Sequence, residues 1–145
     1  MARGATEAGS VVVGGRVRPV PDRVVSHVVQ EVLRRERRQA AVSVTFLGRE
    51  SMRRLHADHK GMDRPTDVLA FALPAPDGAL IGDVYICPWV AAREARRHRV
   101  PVRQELIRLL VHGTLHVLGW DHPEGEGRTA SPMWRRQERY VAALA

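Results

Sequence analysis

A chain with one cysteine cannot close a disulfide within itself, and Cys87 is the only cysteine here. It stands inside the apolar stretch "VYICPW", the setting of a buried, inert thiol rather than of a nucleophile. Aromatic residues are also scarce, at two Phe, two Tyr and three Trp, so base stacking along a nucleic-acid strand can be no more than local. No segment reaches the roughly 18 consecutive apolar residues of a membrane span. The opening "MARGATEAGS" lacks the apolar core of a signal peptide, so a soluble, cytoplasmic protein is expected. Lysine is the last rarity: Lys60 is alone among 23 basic residues, the rest being arginine.

What is present is a formal charge of +7 on 145 residues, with 44% hydrophobic content. The length suits one domain with a real core. The charge is compatible with a polyanionic partner, and equally with a solvated basic surface biased towards arginine.

Residues 1–10 are small and polar and are expected to be disordered, with residues 11–145 forming a single domain. "VVVGGRVRPV" reads as an edge strand weakened by Gly14 and Gly15. In "PDRVVSHVVQEVLRRERRQ" Val24, Val25, Val28, Val29, Val32 and Leu33 recur at helical spacing. "AVSVTFLG" alternates as a strand with Val42, Val44 and Phe46 on one face. "RESMRRLHADHK" predicts a second helix ending near Gly61, and "DVLAFALP" and "ALIGDVYICP" two strands around the turn "APDG". "WVAAREARRHR" predicts a third helix, "PVRQELIRLLVHGTLHVL" a fourth, and the tail from Ser131 a fifth. The fold class is α+β: a small mixed sheet of about four strands packed with about five helices.

Three of the seven histidines fall in "HGTLHVLGWDH", residues 112–122. His112 and His116 are four apart, hence one turn apart on one helix face. The residues around them are mostly apolar, and a buried imidazole left without a partner costs roughly 1–3 kcal/mol. Gly119 can end the helix in a left-handed turn and bring His122 back over it. Three nitrogens around one point match a catalytic zinc site with an open position. Asp121 could be a fourth ligand, but is better read as orienting a histidine. The other reading is core and capping histidines; His27 and His98 are expected to be ordinary helix-surface residues, and His56 and His59 have no comparable spacing.

The spacing H-x-x-x-H-x-x-G-x-x-H is shared with the metzincin proteases, which need a glutamate directly after the first histidine. Gly113 occupies that position, so a protease is disfavoured. Glycine inside a helix costs roughly 1 kcal/mol relative to alanine. Gly113 therefore serves either close helix–strand packing or room beside the metal for a substrate. Thr66 and Asp67 read as turn and cap residues, and Asp83 as strand-entry geometry.

Taken together these residues resemble the YbeY endoribonucleases, a family of rRNA maturation factors. Its signature is similar to H-G-x-L-H-L-x-G-Y-D-H, with Val117 and Trp120 as mild substitutions here. "DRPTDVLAF" at 63–71 and "LIGDVYIC" at 80–87 match in the same order, and the resemblance covers roughly residues 20–143. It implies a single α+β domain and one zinc ion held by His112, His116 and His122. It also implies endonucleolytic cleavage of single-stranded RNA in rRNA processing, ribosome assembly and rRNA quality control. Ribosomal RNA and ribosomal subunit or assembly proteins are the implied partners, and a monomer is expected. The family usually has an arginine just before the "G-x-D-x-P-T" stretch; this chain has Lys60, which keeps the charge but not the planar fork.

Lys60, His112, His116 and His122 are thus the candidate catalytic residues. Three neutral imidazoles leave the full dication charge on a bound metal, able to lower the pKa of a bound water toward about 7. Lys60 would neutralise charge developing on the phosphate, and arginines on the helices would hold the RNA backbone. The competing class is an RNA-binding assembly factor with a structural zinc, which Asp121 would favour by closing the open position.

Overall fold

Valines spaced as one helical face and valines alternating along strands meet in the core. The computed structural model of the chain describes residues 9–145. The expectation of disorder falls on residues 1–8 outside the described residues, but Gly9 and Ser10 need correcting: they open a strand, β1 (Gly9–Gly14). Main-chain pairing needs no side chains, and at Gly9 it requires their absence. A Cβ there would lie 1.8 Å from the Ala40 carbonyl oxygen.

The order along the chain is β1, α1 (Asp22–Arg35), β2 (Ala40–Phe46), α2 (Arg49–Lys60), β3 (Val68–Pro74), β4 (Leu80–Ile86), α3 (Pro88–His98), α4 (Val102–Val117) and α5 (Pro132–Leu144). The four strands form one mixed sheet in the order β1-β2-β4-β3. β2 runs parallel to both β1 and β4, and β3 runs antiparallel to β4. The α+β class, with four strands and five α-helices among the described residues, is as expected from the sequence. None of the described helices is long and apolar enough to cross a membrane.

Val42, Val44 and Phe46 of β2 and Val84 and Ile86 of β4 are buried on one sheet face. They join Val25, Val28, Val29, Val32 and Leu33 of α1 and the apolar residues of α4 in a single core. A smaller cluster gathers Met52 of α2, Leu69 of β3 and Cys87. Cys87 is fully buried, and burial pushes its thiol up from the usual cysteine value, so it is the inert residue expected.

Helix α4 is the centrepiece. It packs against α1, α3, α5, β3 and β4, and from Glu105 to Val117 only Arg108 and His116 escape full burial. Its polar members are satisfied in place. Glu105 accepts from Arg108 at 3.0 Å, and the Thr114 hydroxyl donates to the Leu110 carbonyl at 2.7 Å. Its seat on the sheet is made by two glycines. A Cβ at Gly113 would meet Val84 Cγ1 at 2.5 Å, and one at Gly82 would meet Val117 Cγ1 at 2.4 Å. Close helix–strand packing thus accounts for Gly113.

Gly113→Ala should therefore destabilise the fold despite alanine's better helix propensity. Overpacking costs about 1–3 kcal/mol and the propensity gain offsets about 1 kcal/mol. A net loss of up to about 2 kcal/mol in denaturant titration is expected, and Val84→Ala in the same chain should give less than the additive loss. An additive double variant would mean that the two residues do not press on each other.

Candidate metal centre

The end of α4 shows how the sequence builds the site. Trp120 N–H donates to the Leu115 carbonyl at 3.0 Å and Gly119 N–H to His116 at 2.9 Å. These paired bonds form a Schellman turn, which requires a left-handed residue, and Gly119 supplies it at φ 100°. The reversal places His122 over the helix end. His112, His116 and His122 then each offer a ring nitrogen, all within 4.8 Å of one another. The ring centroids are 4.6, 5.1 and 5.0 Å apart.

Each Nδ1 faces an oxygen that can only accept. His112 Nδ1 is 2.6 Å from Gln137 Oε1, His116 Nδ1 2.9 Å from the Trp120 carbonyl, and His122 Nδ1 3.0 Å from the Pro123 carbonyl. The proton of each neutral ring therefore sits on Nδ1, and the Nε2 lone pair is left to point into the cluster. The amide of Gln137 is oriented in turn: its nitrogen donates to Glu138 Oε2 at 3.1 Å. Glu138 accepts a two-pronged grip from Arg108 at 2.8 and 2.9 Å. A chain of partners thus runs from His112 through α5 and back to α4.

Burial pushes the pKa of His112 down from 6.5 to about 3. His116 is lowered as well, by burial first, then by His122, with a smaller push from Lys60. Both rings are therefore neutral near pH 7, the form that binds a metal. The fit to a divalent ion rests on this donor set: three convergent imidazole nitrogens, each ring oriented by an oxygen at its Nδ1.

The cluster forms one wall of an open cleft of about 890 Å³. Lys60, Arg64 and Arg128 bring positive charge to its lining; Asp67, Asp121 and Glu124 bring negative charge. Lys60 lies exposed at the C-terminal end of α2, in the cleft but not among the clustered nitrogens. Asp121 accepts from the His122 main-chain N–H at 2.8 Å and is not among the clustered ligands. Its carboxylate props the turn by holding the His122 main chain rather than an imidazole. Asp67 is half-buried, and desolvation raises its carboxyl above the ordinary aspartate value. Its backbone carbonyl ties the start of β3 to Cys87 N–H at 2.9 Å, a strand-entry role, while its side chain lines the cleft. Asp83 departs from the strand-entry reading. It lies mid-strand in β4 and accepts from the Ser43 hydroxyl of β2 at 2.6 Å.

His27 and His98 lie exposed on their helices, as expected. His56 is buried, its Nδ1 2.8 Å from the Arg64 carbonyl, and it holds the loop that forms the near side of the cleft. Two contributors escaped the sequence reading. Gln137 is 25 residues beyond His112 with no local signal, and Arg128 sits in a glycine-flanked loop.

Residues 18–145 match the family model described as Endoribonuclease YbeY. Among curated proteins, an endoribonuclease YbeY of Thermotoga maritima is 33% identical over 113 residues, which is 78% of this chain and 73% of that one. One of Halorhodospira halophila is 33% identical over 138 residues, covering 91% of this chain and 88% of that protein. The solution structure of a Thermotoga maritima protein superposes with a TM-score of 0.66 at 27% identity, covering 92% of this chain and 88% of the other.

Proposed function

Because the chain belongs to the endoribonuclease YbeY family, we propose that it is a zinc-dependent endoribonuclease that cleaves single-stranded RNA in rRNA maturation. The observation that carries this reading is the set of three convergent imidazoles, each with its Nδ1 tied off on an oxygen, opening onto a cleft that Lys60, Arg64 and Arg128 also line. His112, His116 and His122 are the ligands we assign, and an all-imidazole set suits zinc among the divalent metals. When bound, the ion supplies Lewis acidity and acidifies water, the two properties a phosphodiester hydrolysis needs near neutral pH.

The protein's own residues do the rest. Gln137, Trp120 and Pro123 hold the three rings in one tautomer and one orientation. Lys60, in the lining of the open cleft, places a cation where charge develops on the phosphate. Arginines elsewhere on the +7 chain hold the backbone without reading its sequence. A protease is not favoured, since Gly113 provides no carboxylate and presses against Val84.

Single-turnover cleavage of one single-stranded RNA by the native chain, Lys60→Ala and Lys60→Arg tests this, at matched zinc occupancy. Lys60→Ala is expected to lower the rate constant about 10–100-fold with little change in RNA affinity, because the charge acts in the transition state. Lys60→Arg keeps or raises the rate. Equal rates for lysine and alanine would remove Lys60 from the mechanism, and no metal-dependent cleavage by the native chain would overturn the nuclease reading.

A further inference from the structure

Of the two arginines that line the cleft, Arg64 is exposed and Arg128 is half-buried, and neither has a carboxylate partner among the described residues. Among the described residues Arg108 grips Glu138, Arg136 pairs with Glu36 at 2.8 Å, and Arg53 pairs with Glu50 at 3.0 Å. Arg128 enters no ion pair among the described residues, and its buried Nε has no hydrogen-bond partner there; the buried Nε of Arg136 lacks one too, but Arg136 keeps its Nη1 contact with Glu36. A half-buried guanidinium nitrogen without an acceptor is costly, and such groups in native proteins generally mark a missing partner.

The position of Arg128 says where that partner would sit. Arg128 lines the cleft that holds the three histidines, and also a smaller cavity of about 220 Å³ behind His112. Asp67 and His112 line both cavities as well, so Arg128 shares them with the start of β3 and with the clustered rings. Asp67 is nevertheless not within ion-pair distance, and the guanidinium lies 5.8 Å from the Trp134 ring, which limits its swing.

The main chain beneath it is built to hold this place. Gly125 and Gly127 take left-handed conformations at φ 65° and 85°, turning the loop into the short 3-10 turn Arg128–Ala130. The Ser131 hydroxyl donates to the Arg128 carbonyl at 2.7 Å and accepts from Trp134 N–H at 3.2 Å, fastening the turn to the first turn of α5. The same helix carries Gln137, so Arg128 and the partner of His112 are set by one rigid element.

We propose that Arg128 binds a backbone phosphate of single-stranded RNA in the cleft, presenting its planar fork to two phosphate oxygens beside the histidine cluster. Arginine suits this role better than lysine because the paired N–H groups match the spacing of phosphate oxygens. Lys60, exposed at the end of α2, contributes a mobile charge, whereas Arg128 contributes a fixed one. The proposal deepens the nuclease reading and rests on it for the nature of the ligand.

The test is binding, measured without cleavage. Fluorescence anisotropy of a labelled single-stranded 2′-O-methyl RNA is recorded with the zinc-loaded native chain, Arg128→Gln and Arg128→Lys from 50 to 200 mM KCl. For Arg128→Gln the plot of log affinity against log salt should become shallower by about 0.7, the loss of one phosphate contact to a single strand. Its affinity at low salt should fall about 10-fold. Arg128→Lys should keep the slope and bind several-fold more weakly, because the charge stays and the fork is lost. An unchanged slope and affinity in Arg128→Gln overturns the proposal, and a lowered melting temperature alongside them assigns Arg128 to the support of Asp67 alone. Should Arg128→Gln not fold, Arg128→Lys decides the matter, since binding equal to the native chain would exclude a forked contact. The slope is read whether or not the RNA is cut, so failure of the nuclease reading and failure of this one are separately visible.

Discussion

His116→Ala is expected to lose most of its bound zinc and to reduce RNA cleavage to background, with the remainder of the fold intact. His116 Nδ1 is anchored on the Trp120 carbonyl, so the residue has one free ring nitrogen, and it points into the cluster. Removing it leaves two imidazoles, which cannot hold a dication against water as three can. The ring is only half-buried, and α4 is fastened by the apolar core on its other sides, so the backbone should survive. His98→Ala, on an exposed face of α3, should change neither metal content nor rate. Zinc per chain by elemental analysis, circular dichroism and single-turnover cleavage together check this. A His116→Ala chain that keeps one tightly bound zinc would show the ligand set to be wrong. Global unfolding on loss of the metal, in this variant or on chelation of the native chain, would instead favour a structural ion and an assembly factor.

The next largest effect is expected at Gln137, which touches no ligand-binding nitrogen. Gln137→Met keeps the volume but removes the acceptor 2.6 Å from His112 Nδ1. The imidazole N–H, buried with its ring, would be left without a partner, at a cost of about 1–3 kcal/mol. The ring would be free to rotate or change tautomer, and such losses behind a ligating histidine typically weaken metal binding about 10–100-fold. Gln137→Glu retains the acceptor but turns a carboxylate oxygen toward Glu138, so it should hold zinc more tightly than Gln137→Met and more weakly than the native chain. Competition against a zinc-binding dye measures all three affinities directly. If Gln137→Met binds zinc like the native chain, the hydrogen bond does not govern the orientation of His112. Protonation has the same sign of effect. With its folded pKa near 3 against 6.5, His112 binds its proton more readily in the unfolded chain. Its contribution to stability is thus complete above pH 6.5 and is lost as pH falls toward 3.

The elements themselves were legible in the sequence because their signals are local. The valines of α1 repeat every three or four residues, those of β2 every second, and Gly119 follows the last periodic residue of α4. The same locality made the histidine cluster legible. His112 and His116 share a face by helical geometry, and one left-handed glycine returns the chain to bring in His122. Where a local signal was read beyond its reach, at Ser10 or Asp83, a neighbouring strand had the deciding bond.

What the sequence by itself determined was therefore the α+β composition, the order of the elements and the three histidines that converge. Tertiary structure alone decided why Gly113 is glycine, since its reason is a methyl group of Val84 on another element. It alone decided which tautomer His112 adopts, since the acceptor is a glutamine 25 residues away on α5. It also left Arg128 in the cleft without a carboxylate, while Arg108 and Arg136 found theirs in Glu138 and Glu36. Periodicity and turn chemistry are set by neighbours along the chain and can be read from it. Hydrogen-bond partners and close contacts between distant segments come into being only when the core packs and brings those segments together.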